Sequence, residues 1–159
     1  MPSPVAGPPL RAPADNILSD QEAGLRRTAG TDHLGLAQAA EQEENQPLAL
    51  TRFRSWGWVE EATRSWAGGG SRADEVLLLL TRVEGARLAY EDFRADAVTP
   101  PLQAAACPAL IRADECIEGR AGALSAIAAR VGSHVFRFRG TNTDLERLAA
   151  LQAARIRLP

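Results

Sequence analysis

The chain contains no lysine, and all 18 of its basic residues are arginine. A Walker-type phosphate loop is therefore excluded, as are lysine Schiff-base and lysine general-base chemistry. Aromatic residues are scarce at 5%, with one tyrosine, four phenylalanines and three tryptophans. A core must then come mainly from Leu, Val, Ile and Ala. The longest apolar run, Val76 to Leu80, has the length of a strand, far short of the roughly 20 apolar residues that a membrane-spanning helix requires. No basic surplus exists either: the formal net charge is −2, which argues against a dedicated nucleic-acid binder. Only two cysteines and two histidines are present, and Cys107 and Cys116 have the spacing C-x8-C rather than the short C-x2-4-C of zinc sites. No metal or cofactor is expected.

What remains is ordinary for one globular domain: 159 residues, 45% hydrophobic and 24% charged. The start, "MPSPVAGPPLRAPADN", lacks the basic and apolar regions of a signal peptide. Residues 1–15 are expected to form a disordered Pro/Ala-rich tether, of the kind that follows a removed export signal or lipid anchor, with Met1 as an added start. A disordered cytosolic tail is the alternative. Residues 16–158 form the domain.

Ser19 and Glu22 make a capping-box pattern that opens a short helix, with Gly30 at its end. The Ala/Gln/Glu-rich stretch from Asp32 favours helix. A second helical piece begins at Pro47, where the missing N–H is harmless, and closes at Gly57. From Trp58 the pattern changes. "WVEEATRSW" and "EVLLLLTRV", joined by the glycine-rich "AGGGSRAD", read as an antiparallel hairpin. "GARLAYEDFRADA" is an amphipathic helix with Ala86, Ala89, Tyr90, Phe93 and Ala97 on one face. The proline-punctuated stretch from Val98 to Arg120 reads as a loop. The alanines after Gly119 suggest helix, but Gly132-Ser133 between two apolar runs suits a type II′ turn, and "HVFRFRG" alternates, so a second hairpin is expected. Thr143 and Glu146 form another capping box, opening a closing helix with the stripe Leu145, Leu148, Ala149, Ala153 and Ile156. The expected fold is α+β: an antiparallel sheet of about four strands packed by N-terminal, middle and C-terminal helices.

This order, with a Gly-aromatic strand start at Gly57-Trp58 and the pattern E-G-A-x-x-A-x-x-x-F from Glu84 to Phe93, resembles a group of exported or lipid-anchored actinobacterial domains. Arginine as the sole basic residue fits such high-GC genomes. Some similar domains have sheets flanked by helices, as in the Mog1/PsbP-like fold. The resemblance implies an extracellular or cell-envelope location and a binding role; it carries over no functional residue.

In an oxidising compartment Cys107 and Cys116 would form a disulfide closing their loop; two free, partly buried thiols are the alternative in a cytosol. Arg137 and Arg139, with Arg130 on the paired strand, form a cationic stripe suited to a carboxylate, phosphate or anionic glycan. A charge-protected sheet face or edge explains the same residues. The three tryptophans fall within Arg54 to Trp66. Trp58 and Trp66 share strand parity but stand roughly 26 Å apart at ordinary strand rise, so they cannot form one stacking platform. Trp66, beside the glycine loop, is the one placed to meet a ligand. Glu60–Glu61, Glu43–Glu44 and Asp114–Glu115 read as solvated surface charge. Ser133 and His134 read as a turn serine and an edge histidine, with no G-x-S-x-G elbow. "IEGR", from Ile117 to Arg120, matches a protease recognition sequence by coincidence.

The functional expectation is a non-enzymatic secreted or surface-tethered binding module. Its partner would be a small molecule or an envelope protein, and its contact with a membrane would run only through an N-terminal anchor. An envelope protein-interaction domain and a small hydrolase-like enzyme around His134 are the alternatives.

Overall fold

The computed structural model describes residues 11–158. Two short helices come first, α1 (Pro13–Asn16) and α2 (Asp20–Ala23), followed by strand β1 (Arg26–Leu34). Then come α3 (Leu36–Glu41), α4 (Gln46–Trp56), β2 (Trp58–Gly68), β3 (Ser71–Leu80) and α5 (Val83–Ala97). The chain ends with β4 (Gln103–Ala105), β5 (Glu115–Ala121), β6 (Leu124–Val131), β7 (His134–Thr141) and α6 (Leu145–Arg157). The tether expected at residues 1–15 lies mostly outside the described residues, and the helical fold already begins at Pro13.

All seven strands join one antiparallel sheet in the order β1-β2-β3-β7-β6-β5-β4, where about four were expected. The local chemistry of both hairpins is legible. Gly69 and Gly70 both have positive φ (58° and 81°), as a two-residue type I′ turn requires. At the second hairpin only Gly132 is left-handed (φ 58°), which fits type II′. After β3 the chain crosses the sheet along α5 to the far edge and returns as a β4–β7 meander, so β7 pairs with β3.

The additional strands are those whose side chains carry no alternation. Every residue of β1 except Leu34 is exposed, so burial imposes no period on it; it pairs with β2 across two irregularities. The helix expected from Asp32 therefore shrinks to α3, and the Ser19 capping box opens only α2, closed by left-handed Gly24 (φ 70°) rather than Gly30. β4 and β5 occupy the stretch read as a loop, with "IEGR" paired inside β5. Cys107 and Cys116 are joined by a disulfide across the β4–β5 connection, with Cα atoms 6.0 Å apart.

Helices cover both sheet faces. Against one pack α1, α2 and α6, around Trp66, Leu77, Ile127, Phe136 and Phe138. Against the other pack α4 and α5, around Leu78, Leu80, Ala128 and Val135. α4 ends as expected at Gly57 (φ 76°). α6 is capped by Asp144, whose side chain accepts from the Arg147 N–H at 3.2 Å; Thr143, expected in that role, donates to the Arg72 carbonyl instead. The glycine of the E-G-A pattern has a steric cause. A Cβ on Gly85 would stand 1.7 Å from the Trp56 carbonyl oxygen, where α5 starts against the end of α4.

Candidate functional site

The functional side chains are best built from the central strand pair. The β3–β7 register sets Asp74 against Arg139 and Val76 against Arg137. Because side chains alternate, these four share the face that carries Leu78 and Val135 further along. There α5 lays Ala86, Ala89, Tyr90 and Phe93 onto the sheet. The polar half of the same face is left open beyond the end of α5. The result is a cleft of about 450 Å³ walled by Asp74, Val76, Asp96, Thr99, Arg137 and Arg139. It continues past Asp74 and Arg139 toward Arg72 and Leu124 as a further 360 Å³ hollow.

Most charges in this cleft are spoken for. Arg137 donates to Asp96 Oδ2 at 2.7 Å and rests 5.3 Å from the Phe93 ring centroid. Asp74 accepts from the Ser65 hydroxyl at 2.6 Å and pairs with Arg72 at 3.5 Å. The Arg139 side chain is exposed and makes no hydrogen bond or ion pair to any described residue. A guanidinium with all five donors free is suited to bidentate capture of a carboxylate or phosphate.

The cationic stripe read from sequence thus divides. Arg137 and Arg139 come together in the cleft. Arg130 shares their face by register but sits at the opposite end, 5% exposed, donating to Glu115 at 2.7 Å and to the Gly132 carbonyl at 3.0 Å. It staples β5 to the β6–β7 turn. β7 is an inner strand, so neither edge protection nor an edge histidine describes it.

Trp66 is 0% exposed and points to the other face, so it offers nothing to a ligand. Trp58 does not share its face. The register slips between Trp58 and Glu60, setting Trp58 opposite Leu80 while Glu60 meets Leu79, and this bulge turns Trp58 into the α4–α5 side. There it stacks at 4.6 Å on Phe53, which also meets Trp56.

The adjacent acids separate as well. Glu60 pairs with exposed His33 at 3.0 Å, and this partner raises the histidine pKa. Glu61, expected to be solvated, is buried enough that its pKa is pushed up to about 7. The Arg137 charge opposes that shift and Glu43 adds to it. Glu75 faces the other core, 1% exposed, and burial holds its carboxyl well above the usual range. Sequence reading missed both. The residue type argues for the surface, and only the parity that Glu75 shares with Ala73 and Leu77 hints otherwise.

Ser133, His134 and Asp114 do line one hollow, at the β6–β7 turn. They do not form a catalytic relay. Asp114 is engaged by the Gly132 N–H at 2.7 Å and by Arg130 and Arg157 at 3.5 and 3.6 Å. His134 hydrogen-bonds the backbone of Arg11, and burial lowers its pKa. Nucleophilic catalysis needs the base held by the carboxylate and the serine held by the base; neither link is present. Among the described residues no group of three or more His, Cys, Asp or Glu is placed to hold a metal.

No family model matches the chain, and no curated protein matches it. Among solved structures, the extracellular domain of PknH from Mycobacterium tuberculosis is similar in fold. The TM-score is 0.51 at 10% identity, over 97% of this chain and 95% of that one. The alignment spans nearly all of both chains, so the likeness is one of overall fold. It gives no support to the Mog1/PsbP-like resemblance, and at this identity it transfers no site residue.

Proposed function

We propose that the chain is an exported, non-catalytic binding module that takes a small anionic ligand, a carboxylate or a phosphate, in the open cleft between β3, β7 and the end of α5. The observation that carries this is Arg139, a guanidinium with no partner among the described residues, in a cleft whose other charges are already matched. Arg137, held by Asp96 and Phe93, adds fixed positive potential beside it. Export is supported by the disulfide, which persists in oxidising compartments, and by the fold shared with an extracellular domain. Attachment to a membrane, where it occurs, would run through an N-terminal anchor.

The test is titration of the ¹⁵N-labelled protein with inorganic phosphate and with glucuronate. Shifts should map to β3, β7 and Thr99. Arg139→Gln should weaken binding by about tenfold or more, as loss of one charge-assisted contact implies. Shifts spread over the surface, or an undiminished Arg139→Gln response, would overturn the assignment. Binding of an envelope protein with neither anion bound would favour an interaction domain instead.

A further inference from the structure

The cleft does not stop at Arg139. It opens into the further hollow of about 360 Å³, and Asp74 and Arg139 line both spaces. The two ends differ. At one, α5 stops hard against β5: a Cβ on Gly119 would stand 1.8 Å from the Ala97 carbonyl oxygen. Asp96 and Thr99 wall the cleft there. At the other, every lining residue belongs to β3, β6 or β7, and no helix residue walls the hollow. Together they form a groove, closed at α5 and open toward the β2–β3 turn.

Charge is spaced along this groove. The β3–β7 register pairs Asp74 with Arg139 and Arg72 with Thr141. Arg72 and Arg139 are therefore diagonal neighbours on one face, with backbones roughly 7–8 Å apart. The Arg72 side chain is 70% exposed, and its guanidinium meets only Asp74 among the described residues, at 3.5 Å. Two guanidinia with donors to spare thus flank one carboxylate. Asp74 accepts the Ser65 hydroxyl on Oδ1 at 2.6 Å, and a carboxylate has about four lone-pair sites, so acceptor capacity remains. Beside these charges the floor is apolar, made by Ala126 and Leu124 opposite Arg139 and Thr141.

This pattern discriminates between anions. An unbroken run of negative charge, as in a polyphosphate, attracts both arginines but is repelled by Asp74 between them. Acids separated by a hydroxyl-bearing carbon ring satisfy all three groups. Each acid faces a guanidinium, a hydroxyl donates to Asp74, and the C–H surface of the ring lies on the apolar floor. We infer that the groove binds a short chain of uronic acid units, an acidic oligosaccharide laid along β3 and β7 with carboxylates at Arg139 and Arg72. This rests on the anion-binding reading of the cleft and names its ligand class. The single anion at Arg139 is one unit of the longer ligand, and Arg72 and Asp74 set the specificity.

The experiment titrates the ¹⁵N-labelled full chain with galacturonate, digalacturonate and trigalacturonate, and with maltotriose and tripolyphosphate alongside. The oligomers should bind about tenfold or more tighter than the monomer, as a second charge-assisted contact implies. Their shifts should extend from Thr99 and Arg139 to Arg72, Leu124 and Thr141. Arg72→Gln, at an exposed position, should melt with the parent and abolish the length gain. Asp74→Asn should raise the affinity for tripolyphosphate relative to trigalacturonate. Maltotriose should not bind. Oligomers no tighter than the monomer, or a length gain that survives Arg72→Gln, would overturn the inference. So would tripolyphosphate or maltotriose binding the parent as tightly as trigalacturonate, or an Asp74→Asn protein with unchanged preference. In each of these cases, galacturonate bound through Arg139 would leave the small-anion reading standing. If neither galacturonate nor its oligomers bind in a way that Arg139→Gln weakens, both fall.

Discussion

Trp66 donates its indole N–H to Asp20 Oδ1 across 2.9 Å, from a side chain with 0% exposure to a carboxylate at the first turn of α2. One bond thus fastens the N-terminal helices onto the sheet face. Asp20→Ala strands a buried N–H and should cost about 1–3 kcal/mol. Trp66→Ala empties the centre of that core and should cost about 3–5 kcal/mol. Urea denaturation checks both. The larger loss is expected from Trp66, and an Asp20→Ala protein as stable as the parent would show the bond to be dispensable.

The disulfide spans a separation of nine residues, which makes it a short-loop staple. By the loop-entropy relation its reduction should remove about 2–3 kcal/mol. Alkylation under non-reducing conditions followed by mass measurement should find both thiols blocked. The Cys107→Ala/Cys116→Ala protein should melt at lower temperature but keep its fold, since the pair sits on the β4–β5 connection, outside the central strands.

Gly85 leaves no room for a side chain between α5 and the Trp56 carbonyl. Gly85→Ala gains helix propensity, yet it must push the α4 end away; overpacking of this kind costs about 1–3 kcal/mol or more. The steric term should win, giving a lower denaturation midpoint. A stabilised variant would mean that α4 yields freely.

Glu61 and Glu75 make stability depend on pH in a definite sense. A carboxyl whose pKa is higher in the fold than in the unfolded chain keeps its proton in the fold after the unfolded chain has lost it. Stability is then greatest at low pH and falls as pH rises. For Glu61 the fall runs from about 4.5 to about 7 and amounts to about 3 kcal/mol. For Glu75, whose carboxyl burial holds well above its ordinary value, the fall begins in the same range. His134, lowered by burial, acts the other way and costs stability as pH drops below its ordinary 6.5. Glu75→Gln should flatten the decline above pH 5 and leave the protein more stable than the parent at pH 8. An unchanged slope would show that Glu75 does not hold its proton.

Local rules carried much of the fold. The two hairpins were legible because Gly69-Gly70 and Gly132-Ser133 supply the backbone conformations that tight turns need. α5 was legible because Ala86, Ala89, Tyr90 and Phe93 recur at helical spacing, and the end of α4 because Gly57 can turn left-handed. β1 was not legible. A strand shows itself by alternation only when one face is buried, and this edge strand has almost none.

For the site, sequence singled out Arg137 and Arg139 correctly as neighbours on one face, since period-two alternation is a property of any strand. What it had no means to decide was which arginine keeps a free guanidinium. Arg130, Arg137 and Arg139 are chemically identical; the β5–β6 register sets Glu115 opposite Arg130 and the end of α5 carries Asp96 to Arg137, whereas Asp74, opposite Arg139, is taken up by Ser65 and Arg72. Trp58 and Trp66 make the same point. Equal parity predicted one face, and a single bulge at Val59 sent them to opposite cores. Composition by itself determined the absence of lysine chemistry and the scarcity of aromatic surface. Turn glycines and apolar spacing determined the hairpins and most helices, because those depend on neighbours in the chain. Only the tertiary structure decided burial, pairing and the open half of the sheet, because those depend on residues far apart in sequence.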